Sequence, residues 1–83
     1  MNGEFEMKVD KNQIKEIIAE ALEIEASEIG DSDNFVKDLA MNSLVMLDCV
    51  SEIEDLYDIR VPKADIHKLN CIDEIIKYLE NME

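Results

Sequence analysis

Ser43 is the residue whose type and position best suit chemistry. It ends the run Lys37-Asp38-Leu39-Ala40-Met41-Asn42 and opens a long acidic amphipathic segment. A serine at such a corner is exposed, sits at a helix N-terminus and has no core role. No basic residue stands between Lys37 and Arg60, whereas Asp38, Asp48, Glu52, Glu54, Asp55 and Asp58 do. A nucleophilic serine needs a base and a group to orient that base. His67 is the only histidine, and no glycine-rich elbow surrounds Ser43. Ser43 therefore reads as a hydroxyl modified by another catalyst, and the chain as a non-enzyme. Free N–H groups at the helix start favour a phosphodiester there.

Other chemistry fits less well. Exposed acids along a solvated helix are not a tuned acid/base pair. The two glycines, Gly3 and Gly30, make no phosphate-cradling loop. Asp31-x-Asp33 resembles the start of a calcium loop, but the pattern breaks: Phe35 stands at a ligand position, Val36 at the glycine and Asn42 at the bidentate glutamate. Cys49 and Cys71 belong to no CxxC or Cys/His pattern, so no metal site is expected. Cys49 reads as a small buried apolar residue.

The chain has 83 residues, which predicts one domain over 10–83 behind a flexible N-terminal extension, 1–9. A net charge of −13 excludes nucleic acid and anionic membrane surfaces as partners. It suits long-range attraction to basic partners. No signal peptide or membrane-spanning run is visible, so a cytoplasmic monomer with reduced thiols is expected.

Helical spacing of apolar residues defines the elements that position Ser43. Ile14, Ile17, Ile18, Ala21 and Leu22 predict a helix over 11–24, capped by Asp10 or Asn12. Residues 26–42 form a structured loop rich in turn formers, with Ile29, Phe35, Val36 and Leu39 as apolar anchors. The second helix runs 43–57. Val45, Met46, Cys49, Val50, Ile53, Leu56 and Tyr57 share its core arc, and Leu44 and Leu47 lie outside it beside Ser43. Two leucines there suggest a contact patch. Pro62 breaks the helix, short turns follow over 64–69, and Ile72, Ile75, Ile76 and Leu79 predict a last helix over 72–80. The fold class is all-α: three main helices and one short helix around a long first loop.

From Ile14 to Leu79 the chain resembles an acyl carrier protein. The resemblance lies in Phe35-Val36-Lys37-Asp38-Leu39, Asn42-Ser43-Leu44, Ile53-Glu54-Asp55-Leu56-Tyr57 and Ile59-Arg60-Val61-Pro62, at the family's spacing. It implies 4′-phosphopantetheine from coenzyme A on Ser43, flanked by Asn42 and Leu44, with acyl groups held as thioesters. It implies Leu44, Leu47, Asp48, Glu54 and Asp55 as the surface met by a phosphopantetheinyl transferase and by acyl-transferring or synthase enzymes through basic patches. It also implies an acyl-chain pocket at Ile53, Ile66, Leu69 and Ile75. The chain departs from the family pattern at Asn42, usually aspartate, at Ala40, usually glycine, and at Val45, often an acid. The resemblance implies delivery to fatty acid, polyketide or related biosynthetic enzymes, and these departures suggest a specialised carrier rather than the main fatty acid one. An aminoacyl or peptidyl carrier and an unmodified acidic adaptor are the alternative readings.

Overall fold

The computed structural model describes residues 9–82. The extension expected over 1–9 lies outside that range except for Val9, which is half-buried. Five α-helices follow one another: α1 Lys11–Leu22, α2 Phe35–Leu39, α3 Ser43–Tyr57, α4 Lys63–Ile66 and α5 Ile72–Glu80. A single 3-10 turn, Ala26–Glu28, interrupts the first loop. The described residues contain no strand, as the all-α reading expected.

α1 packs against α3 and α5, and these three helices supply most of the fully buried side chains. Ile14, Ile18, Ile53, Ile72, Ile75 and Leu79 are each at most 2% exposed. In α5 the buried residues recur every three or four positions, and in α1 Ile14, Ile18 and Ala19 fall within one arc, which keeps them on one face of each helix. Asp10 caps α1 by accepting from the Asn12 N–H at 2.9 Å. The Asp10 N–H in turn donates to the Tyr57 hydroxyl at 3.0 Å, tying the start of α1 to the end of α3.

The first loop is fastened at both ends. Asp31 accepts from Lys11 Nζ at 2.7 Å and pairs with Lys15 Nζ at 2.8 Å. These two ammonium groups hold its carboxyl below the usual carboxylate range. The Asp73 N–H donates to the Asp31 carbonyl at 3.0 Å, and the Phe35 N–H to the Asn70 carbonyl at 2.8 Å. Both bonds sew the loop to the segment that enters α5.

Four expectations change. The loop contains α2, a helix too short to show a period. Asn34 caps it, accepting from the Val36 and Lys37 N–H groups at 3.0 and 2.8 Å. Val36 is not an apolar anchor but 65% exposed, because α2 turns Phe35 inward and carries the next residue outward. Leu56 is not a core residue but 44% exposed. It lies about 60° round α3 from Ile53, at the edge of the core arc. α1 ends at Leu22 rather than 24, since Glu23 turns left-handed at φ 60° and closes the helix.

Candidate functional site

Ser43 is the first residue of α3 and is exposed. Asn42 caps the helix, its Oδ1 accepting from the Val45 N–H at 2.9 Å. The Asn42 carbonyl accepts from the Met46 N–H at 3.0 Å. The Ser43 and Leu44 N–H groups therefore stand without a partner among the described residues, as helix geometry requires at this end. The first turn of α3 holds no acid, so no side-chain charge offsets the positive end of the helix dipole. An anion on the Ser43 oxygen meets two free donors and a favourable dipole. The corner thus fits a phosphodiester-linked group.

The approach to that corner is set by Ala40. The chain reverses between α2 and α3 with Ala40 at φ 58°. The turn lets the Met41 N–H donate to the Phe35 carbonyl at 2.9 Å and sends the Met41 side chain inward, 3% exposed. A left-handed conformation costs an L-residue roughly 1–2 kcal/mol. Glycine is the residue that takes it without penalty, and this chain spends that strain to keep an alanine.

Beside Ser43 lies a cleft of about 520 Å³ between α2, α3 and α4. Phe35, Met41, Met46, Leu47, Ile66 and Leu69 give it an apolar wall, and Asn42 and Ser43 stand in its lining. Two of the four pocket residues implied by the resemblance, Ile66 and Leu69, are in that wall. Ile53 and Ile75 are not. They are 2% and 1% exposed and pack in the core. Helix spacing could not separate a core wall from a cleft wall, because both are apolar and inward. Met41, Lys63 and Asn70 also line the cleft and were missed. Met41 belongs to no helix, so no period marked it.

Leu44 and Leu47 are 74% and 42% exposed, and Asp48 and Asp55 are exposed on the same helix. Glu54 is different. It is half-buried, and its Oε2 accepts from the Val61 N–H at 2.7 Å. That bond closes the turn from α3 into α4, so Glu54 is a structural brace as well as a charge. α4 is braced from its other side by the Tyr78 hydroxyl, which donates to Asp65 at 2.6 Å. That bond holds the Asp65 carboxyl low and pushes Tyr78 up to about 12.

Neither cysteine is paired. Cys49 is fully buried; burial, with Glu52 and Asp48 nearby, pushes its thiol up to about 11. It is packing, as its place in the helix suggested. No group of three or more His, Cys, Asp or Glu among the described residues can hold a metal ion. No helix among them is long and apolar enough to cross a membrane.

An exposed serine at a helix start, beside an apolar cleft in a small helical bundle, marks a class of protein that bears a covalent arm. The family described as "Phosphopantetheine attachment site" matches residues 12–79, and the chain belongs to this acyl carrier protein family, whose members bear covalently attached 4′-phosphopantetheine. The chain is similar to the meromycolate extension acyl carrier protein of Mycobacterium tuberculosis (strain ATCC 25618 / H37Rv). The two are 36% identical over 70 residues, 84% of this chain and 61% of that protein. It is 33% identical to the protein of the same name from Mycolicibacterium smegmatis, over 84% of this chain and 71% of the relative. The chain thus spans about three-fifths of the length of the first of these relatives.

Proposed function

We propose that this chain carries acyl intermediates for fatty acid or related synthesis, with Ser43 as the attachment residue. When bound, the arm supplies a thiol that holds acyl groups as thioesters. The observation that carries this reading is the state of Ser43: exposed, first in α3, beside two unpaired N–H donors and on the lip of an apolar cleft. Ser43 offers its hydroxyl to a transferase. Asn42 keeps the helix start ordered without adding charge. The cleft wall shelters apolar cargo from water, and Ile66 and Leu69 are the residues that line it from the α4 side.

Asp48 and Asp55, with Leu44 and Leu47, form the docking crest. Charge on the crest speeds encounter with basic partners, and the two leucines add apolar contact. Glu54 belongs to this surface only secondarily, because its carboxylate is engaged with the Val61 N–H. The work is done in the cytoplasm, by a chain that acts as a monomer.

Intact-mass spectrometry after incubation with coenzyme A and a promiscuous transferase tests the attachment. The pantetheinyl mass is gained by the wild-type chain and lost in Ser43→Ala; a folded wild-type chain that gains nothing is an unmodified adaptor instead. Docking is tested by Asp48→Lys with Asp55→Lys. Transferase kcat/KM falls and the helical circular dichroism signal is kept. Each exposed pair contributes only about 0.2–1 kcal/mol, so the double change is needed. Unchanged kinetics would move docking elsewhere.

A further inference from the structure

The charge of the cleft is opposite to that of the chain. Twenty-one acids are present in the sequence, yet no carboxylate lines the cleft beside Ser43. Its only charged or titratable lining groups are Lys63 and His67. Both stand at α4: Lys63 is its first residue, and His67 follows its last. Both are exposed, and neither has an ion-pair or side-chain hydrogen-bond partner among the described residues. Asp65, the acid between them in the chain, is already engaged by Tyr78 at 2.6 Å and Lys68 at 3.3 Å. Across the cleft, α2 contributes Phe35 and Val36 to the wall, and α3 contributes Ser43, Met46 and Leu47. The titratable neighbours of these residues in sequence are Lys37, Asp38 and Asp48, all outside the lining. A cationic wall shares one cleft with the start of α3, where two N–H groups are free and the helix dipole is uncompensated.

We propose that Lys63 and His67 form an anion-binding lip that holds the phosphodiester on Ser43 against the start of α3, so that the arm leaves along the apolar cleft rather than into solvent. This rests on Ser43 being the attachment residue. The pairing is charge-assisted, and no carboxylate lines the wall; the Asp65 carboxylate, which senses His67 from the same segment, is already held by Tyr78 and Lys68. The lip also accounts for the missing acid at residue 42. An aspartate there would place a negative charge beside the same cations and weaken their hold on the phosphate.

The test uses the holo-protein, loaded from coenzyme A and checked by intact mass. The 31P resonance of the phosphodiester is followed from about pH 5 to 7, the range in which a histidine side chain ordinarily changes charge. A phosphodiester has no proton to exchange in that range, and the chain has one histidine. In the wild type the resonance shifts sigmoidally with pH. In His67→Gln the curve is flat. Lys63→Gln displaces the resonance at every pH, and Lys63→Arg returns it towards the wild-type position. The three variants keep the wild-type circular dichroism spectrum, since both side chains are exposed. Fully loaded variants whose 31P curves superimpose on the wild type overturn the lip and leave attachment at Ser43 intact. A folded wild-type chain that takes no pantetheinyl mass overturns both.

Discussion

The two flanks of α3 are built to opposite electrical plans. On the flank towards α4, the apolar cleft carries Lys63 and His67 and no carboxylate. On the flank towards α1, a second groove is lined by Glu16, Glu20, Glu52 and Asp55 around Ile17 and Leu56, with no cation. A net charge of −13 is thus not spread evenly over the surface. Acids line the α1-facing groove of α3, and none lines the cleft in which Ser43 stands. The lesson is that one helix can attract basic proteins along its crest while leaving its N-terminal corner hospitable to an anion. Screening makes this possible, since exposed charges more than about 8–10 Å apart hardly sense each other at physiological salt.

Ile53 lies between the flanks, and its replacement should have the largest effect on the comparison. If Ile53 is core, as its 2% exposure indicates, Ile53→Ala costs about 2–5 kcal/mol in denaturant unfolding. A cost near zero, with weakened acyl sheltering, would return Ile53 to the cleft wall. Glu54 tests the α4 flank alone. Glu54→Ala leaves the Val61 N–H unpaired and costs about 1–3 kcal/mol. Glu54→Gln keeps an acceptor and loses less. Equal stability of both variants with the wild type would show that the brace does not hold α4. The smallest effect is at Ala40. Ala40→Gly removes roughly 1–2 kcal/mol of left-handed strain and adds about 0.5–1 kcal/mol of unfolded-chain entropy. A net gain of up to about 1.5 kcal/mol should appear in the same unfolding measurement, and a loss would show that the alanine methyl packs usefully.

Long periodic elements were legible in the sequence because their burial pattern repeats. α5 shows this best: Ile72, Ile75, Ile76 and Leu79 predicted Ile72–Glu80, the span observed. Ser43 was legible from its place ahead of the acidic helix, and its exposure followed. α2 was not, since five residues complete little more than one turn and leave no period to read. Its signals were chemical: Asn34 as cap, and Asp38, whose Oδ2 accepts from the Asn34 N–H at 2.8 Å. The cleft was only half legible. Ile66 and Leu69 line it, whereas Ile53 and Ile75, which look the same in sequence, are buried in the core. The charge of the lip was hidden for another reason. Lys63 and His67 acquire meaning only when the turn after Pro62 brings them into the lining of the same cleft as Ser43, a juxtaposition that spacing along the chain does not reveal.

Attachment at Ser43 is tested most directly by proteolysing the loaded wild-type chain and sequencing its peptides by mass spectrometry. The account predicts one pantetheinyl-bearing peptide, with the added mass on Ser43 and on neither Ser27, Ser32 nor Ser51. Modification at one of those serines, or none on a folded chain offered coenzyme A and an active transferase, would contradict it.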